Sequence, residues 1–189
     1  MKAPLMFLFL CTLSPNSAGA TESDLWTFHA GPSVHLLTDF GGYMSVHEGL
    51  HMSGHRTILS RKWKDWLRGG LSVGFSSGFL FEGMNTFEQP FDPSYPLMIP
   101  IQASGLGHLT FGKSEHTCLH LRLSGGMHVT SYADWQPYAQ YSWGVELGLT
   151  WFFSSPFGIS LNLGYAVVGN RDPWGGPRIG ISFAWRPGR

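Results

Sequence analysis

Nine histidines are the feature of this sequence that most suggests chemistry. Imidazole changes charge near neutrality and serves as general acid, general base or metal ligand. His47-Glu48-Gly49-Leu50-His51 spells the H-E-x-x-H pattern of zinc proteases, in which one helical face presents both histidines and the glutamate acts as base. That chemistry requires a helix. Gly49 lies inside the pattern, Gly41, Gly42 and Gly54 flank it, and no capping residue precedes it. Met44, Val46, Leu50 and Met52 alternate instead with Ser45, His47 and His51, which is the spacing of a strand interrupted only by Glu48. On a strand His47 and His51 share a face but stand about 13 Å apart, too far for one ion unless the chain bulges between them. His116 and His120 have the same spacing, with Cys118 between them. No metal and no other cofactor is expected.

A second constellation is His128, Ser131 and Asp134, the residue types of an acyl hydrolase or acyltransferase acting on lipid. A nucleophilic serine needs its base within ~2.6–3.2 Å, which sequence spacing does not supply. The plainer reading makes the histidines polar fill, hydrogen-bonded to serine, glutamate or water. Gly105-x-Gly107 precedes no helix, so it cradles no phosphate. A formal net charge of 0 provides no basic surface for nucleic acid.

The elements that position these residues begin after a leader. Lys2, the short apolar run Leu5–Leu13 and Ala18-Gly19-Ala20 read as an export signal over residues 1–20, leaving residues 21–189 as one domain. The run is too short to span a bilayer as a helix, which takes ~20 residues. With the leader removed Cys118 is the only cysteine, so no internal disulfide is expected.

From Trp26 onward the hydrophobic period is two. Leu121 and Leu123 alternate with His120, Arg122 and Ser124; Val145, Leu147 and Leu149 alternate with Gly144, Glu146 and Gly148. Ile159, Leu161 and Leu163 alternate with Gly158, Ser160 and Asn162. Eight such segments are predicted, the second running past a bulge near Gly54 to Arg61 and the last starting at Arg178. Connections alternate too. Trp63–Asp65, Gly112–His116 and Ser154–Pro156 are short, whereas Glu82–Pro96, Thr130–Pro137 and Gly169–Pro177 are longer and rich in turn residues. Short turns at one end and long loops at the other predict an all-β, eight-stranded antiparallel up-and-down transmembrane β-barrel.

The two faces set which side meets what. A soluble barrel covers its outside with charge, but charged residues are only 13 % here and aromatics 15 %. The second face is glycine, serine and threonine with isolated charges, which suits a narrow lumen. Arg68, Glu82, His108, His120, Arg122, His128, Glu146 and Arg178 are expected to form a lumen polar network, with Arg122 paired to Glu146. Trp26, Trp63, Trp66, Trp151, Phe153, Phe157 and Trp185 are expected to form an aromatic belt at headgroup level.

With this leader, eight amphipathic strands and the apolar final strand Ile179, Ile181, Phe183, Trp185, the chain resembles the small bacterial outer-membrane β-barrel proteins, of the outer-membrane protein W type or the A and X type. It departs from their aromatic terminus, because Arg186-Pro187-Gly188-Arg189 follow Trp185. The resemblance implies the bacterial outer membrane as location, with outer-membrane lipid and the barrel assembly machinery as partners and a host or surface ligand at the extracellular loops. It implies a narrow channel for small or apolar solutes or a structural, surface-interacting barrel. The lipid-modifying enzyme is the alternative.

Overall fold

The computed structural model describes residues 26–38, 44–83, 97–112, 115–131, 138–154, 156–169 and 173–187. They form eight strands: β1 (Trp26–Thr38), β2 (Met44–Lys64), β3 (Leu67–Gly83), β4 (Leu97–Phe111), β5 (Thr117–Ser131), β6 (Tyr138–Phe152), β7 (Phe157–Val168) and β8 (Trp174–Trp185). Each pairs antiparallel with its neighbour in sequence, and β8 pairs with β1 to close the barrel. Closure gives every strand two partners, so no sheet edge runs the length of the molecule. The leader expected over residues 1–20 and the long-loop segments 84–96 and 132–137 lie outside the described residues.

Alternation decides the faces. Along β5, Cys118, His120, Arg122, His128 and Thr130 are buried, while Leu121, Leu123 and Met127 are exposed. Outside the charged residues of β2, the large exposed side chains of the barrel strands are mostly hydrophobic, and most buried ones are polar. This is the reverse of a soluble barrel.

One row of directly opposed residues fixes the barrel's size. It runs Thr57, Ser72, Leu106, Arg122, Glu146, Gly164, Arg178, His35 and returns to β2 at His47, ten residues from its start. A shift of ten over eight strands tilts them by about 40° and leaves an interior that side chains can fill.

Three details differ from the sequence expectation. No bulge occurs at Gly54, which pairs regularly with Phe75; the shifts lie between Thr57 and Leu59 and between Lys62 and Lys64. A Cβ at Gly54 would meet the Phe28 and Phe75 rings, so this glycine admits aromatic neighbours and does not kink the strand. β2 continues to Lys64, beyond the expected Arg61. β8 starts at Trp174, before the expected Arg178, because Gly175 and Gly176 pair with Val167 and Ala166; a Cβ on Gly176 would collide with the Leu36 carbonyl of β1.

The short turns share one end of the barrel. Asp65 and Trp66 join β2 to β3, and Gly112 (φ 90°) with Glu115 (φ 54°) joins β4 to β5, glycine being the residue that takes such a φ without strain. Lys62 Nζ lies 2.9 Å from Asp65 Oδ1 and holds that exposed carboxyl below its ordinary pKa. Among the described residues β1 pairs with β2 only as far as Arg56, opposite Trp26. The rest of β2 pairs with β3 alone and projects past that rim.

Candidate functional site

The interior of the barrel gathers the polar residues, and its centre is an ion triad. Arg122 of β5 and Glu146 of β6 are directly opposed. Arg122 Nη2 donates to Glu146 Oε1, and Nη1 donates to Ser53 Oγ of β2 at 3.0 Å, across the lumen. Arg178 of β8 is two strands from Glu146, yet its Nη2 lies 2.8 Å from Glu146 Oε2. The residue between them in the row is Gly164, where a Cβ would press on Glu146 and the Val145 carbonyl. The absent side chain therefore opens the line between β6 and β8. The triad's side chains are only 4–9 % exposed. One carboxylate serves two guanidiniums, so the lumen centre carries a net positive charge.

Histidines flank the triad on both sides. Toward the short turns, the His29 and His120 rings stand 5.7 Å apart, His55 Nε2 is 2.8 Å from Ser104 Oγ, and His108 Nδ1 is 3.4 Å from Ser72 Oγ. Toward the long loops, His35 is directly opposite both His47 and Arg178, and His47 Nε2 lies 2.8 Å from Ser45 Oγ. Both ring nitrogens of His35 and of His128 are buried without a protein partner. Such groups call for water. A cavity of about 10 Å³ bounded by His35, His51, His128 and Arg178 admits about one.

Serine, threonine and amide side chains complete the lining. Gln102 Nε2 donates to Ser142 Oγ at 2.9 Å, and Asn162 Nδ2 donates to Ser182 Oγ at 3.2 Å. Thr150 Oγ1 donates to Ser160 Oγ at 3.0 Å, which donates to Asn162 Oδ1 at the same distance.

Both ends of the lumen are closed down. At the loop end Leu37, Leu80, Met98 and Val168 point inward and pack together, with Trp174 against them. At the turn end the Arg186 guanidinium lies 3.7 Å from the Phe152 ring centre, and Phe152 packs with buried Cys118 and Ala184. Arg68 Nη1 pairs with Glu115 Oε1 at 2.9 Å at the same mouth. Between Arg186 and the lower histidines is a cavity of about 60 Å³, room for several waters.

Sequence reasoning named part of this arrangement. Arg122, Glu146 and Arg178 meet at the centre, His108 and His120 line the lower half, His128 the upper half, and Arg68 the mouth. Glu82 stands opposite His47 in the register, but its side chain lies outside the described residues. The serine-hydrolase constellation does not assemble on β5. His128 belongs to the inward set with Thr130, while Ser131 shares its parity with outward Met127, and a strand turns residues three apart to opposite faces. Asp134 lies outside the described residues. Among the described residues no three histidine, cysteine, aspartate or glutamate side chains converge to hold a metal. Trp26, Trp63, Trp66, Trp151, Phe153, Phe157 and Trp185 all lie at the short-turn end, where the Phe28 ring bridges Trp26 and Trp185 at 5.7 and 5.6 Å. His55, Ser53, Gln102 and Asn162 were not singled out in the sequence, although strict alternation along β2, β4 and β7 places them inward.

Several solved structures share this architecture. The crystal structure of Neisserial surface protein A aligns with a TM-score of 0.55 at 13 % identity, covering 85 % of this chain and 95 % of that one. That of Ail, the attachment invasion locus protein of Yersinia pestis, aligns with a TM-score of 0.50 at 12 % identity, covering 87 % and 99 %. At such identities the likeness is one of fold: an eight-stranded, closed up-and-down barrel. No protein-family model matches the chain, and no curated protein matches it in sequence.

Proposed function

We propose that this chain is a bacterial outer-membrane β-barrel with a structural and surface-interacting role, its lumen filled and its long loops presented outside the cell. The observation that carries the reading is the inversion of the two faces. Phe75, Ile101, Trp143, Leu147, Ile181 and Phe183 are each about half exposed on the outside, while Arg122, Glu146 and six histidines are buried within. Water would not tolerate that outer surface and hydrocarbon would. Closure satisfies the backbone groups that an open edge would strand in lipid.

Within this reading the interior favours a plug over a channel. The triad crosses the lumen, and the apolar cluster and the Arg186 stack narrow its two ends. An eight-stranded barrel has no spare width to route around them. The long loops, including the 13-residue segment 84–96, are then the parts that reach a host or surface ligand. The role named for Ail, attachment, is of this kind. The barrel assembly machinery would insert the exported chain.

Refolded protein in planar bilayers tests this, run beside a lipid-hydrolysis assay and a binding assay on cells displaying the barrel with and without residues 84–96. The expected result is no steady conductance, no hydrolysis, and surface binding that the loop deletion removes. Discrete conductance steps would establish the channel instead. Hydrolysis lost in His128→Ala would establish the enzyme.

A further inference from the structure

The charge at the lumen centre does not cancel within the triad. Arg122 and Arg178 share one carboxylate, that of Glu146, and among the described side chains no other acid lies between them. Glu146 Oε2 engages one Nη of Arg178, which leaves most of that guanidinium's five N–H donors for other groups. An uncompensated charge enclosed in a narrow lumen of low dielectric is costly, and it draws a counter-ion where there is room for one.

Room and donors coincide on the loop side of the triad. The cavity of about 10 Å³ there is bounded by Arg178, His35, His51 and His128, with Leu80 and Ala166 in its apolar wall. Leu80 also belongs to the apolar cluster at the loop mouth, so that cluster covers the cavity. His35, His51 and His128 are 3, 9 and 2 % exposed, and five of their six ring nitrogens are buried without a protein partner. Each neutral imidazole can turn one N–H inward. Water would satisfy these nitrogens and leave the charge uncompensated. A metal cation would be repelled by the Arg178 guanidinium. A carboxylate or phosphate brings several heavy atoms to a space that admits about one. A single-atom anion satisfies the charge, the size and the donors together.

We propose that this cavity is a halide site, filled by chloride in ordinary salt, in which the ion accepts N–H donors from Arg178, His35, His51 and His128. The site goes beyond the structural role proposed above and does not depend on the membrane placement. Its ion completes the central cluster, so that two guanidiniums face two anions. Histidine suits the lining here, because it reaches farther into the lumen than serine and donates while neutral. Glu82 is the rival source of negative charge: it stands opposite His47, which stands opposite His35.

The ion is enclosed, so the test supplies it during refolding. Full-length protein is refolded in detergent at pH ~8, where free imidazole is neutral, in chloride, bromide or gluconate. Each salt is held at about 0.1 M so that general screening is equal. The expected result is a urea midpoint higher in both halides than in gluconate and rising with halide concentration, as binding to the folded state requires. Crystals of the bromide-refolded protein should show anomalous scattering among His35, His51, His128 and Arg178. His128→Leu should keep the barrel, judged by heat-modifiable migration, and bind halide at least about tenfold more weakly, the loss of one hydrogen bond to a charge. His108→Leu, on the far side of the triad, should leave the halide effect whole. If His128→Leu does not fold, the bromide peak of the wild type decides alone. Equal midpoints in halide and gluconate would overturn the inference, as would crystals without bromide in that cavity or a halide effect undiminished in His128→Leu. A bromide peak that appears only in Glu82→Gln would also overturn it, and would assign the counter-charge to Glu82.

Discussion

Replacing Glu146 by glutamine keeps the side chain's size and removes the only anion between Arg122 and Arg178. At an effective dielectric of 20, a charge pair at about 3 Å is worth ~5 kcal/mol before desolvation of the two ions takes much of it back. Removing one partner also strands the other, and a buried pair broken this way costs about 3–5 kcal/mol. Two guanidiniums are stranded here. Arg122 keeps Ser53 as acceptor at 3.0 Å, which softens the loss on its side, whereas Arg178 is left with at most the single neutral amide oxygen of the glutamine. The expectation is therefore the full 3–5 kcal/mol. With a urea dependence near 2 kcal/mol per molar, the unfolding midpoint should fall by about 1.5–2.5 M. Unfolding in detergent is followed by tryptophan fluorescence and heat-modifiable migration. Adding Arg178→Gln to Glu146→Gln removes one of the stranded cations and should recover part of the loss. A single-variant cost below ~1 kcal/mol, the range of exposed ion pairs, would refute the reasoning, because the triad would then be solvated and not enclosed.

Three further outcomes are expected. Gly164→Val should lower stability by ~1–3 kcal/mol through overpacking, and it should make a later Glu146→Gln change cost less, since it parts Glu146 from Arg178; additive losses would count against the open line between β6 and β8. Leu147→Arg, on the outer face beside Glu146, should cost ~2–4 kcal/mol in lipid vesicles, as cations do at mid-bilayer, whereas an unchanged midpoint would place that face in water. Zinc should leave the unfolding midpoint of the wild type unmoved, since His47 and His51 are held on a strand; a zinc-dependent rise abolished by His51→Ala would show that they share an ion.

Parity made the fold legible. Every second residue from Tyr141 to Trp151 is large and apolar, and a helix would have scattered those side chains around its circumference. Parity also placed Arg122 beside Glu146, because both face inward at similar mid-strand positions on adjacent strands. It could not place Arg178 beside Glu146. That contact depends on the ten-residue shift of the whole barrel and on Gly164, which has no side chain to announce it. Leu37, Leu80, Met98 and Val168 escaped notice for a different reason. They sit on the polar parity, and apolar residues there look like lapses in the alternation until closure brings all four to one mouth. Arg186 falls after the last strand, and its place against the Phe152 ring shows only in the folded barrel. Ser131 shows the opposite hazard: three residues from His128 reads as proximity along the chain, and the pleat turns it away.

The seam between β1 and β8 sets a condition on assembly. All the other ladders join strands consecutive in the chain and can form as hairpins soon after each pair exists. The seam joins His35 to Arg178 and Phe28 to Trp185, over a hundred residues apart, so it closes last and against the greatest loss of chain freedom. The strand that fastens it also brings the second guanidinium to Glu146. Until β8 docks, β1 and β7 present raw edges and the central carboxylate has one cation in place of two. Fastening the clasp ends both deficits in one step, which makes the half-built cylinder the vulnerable species and the finished one slow to reopen.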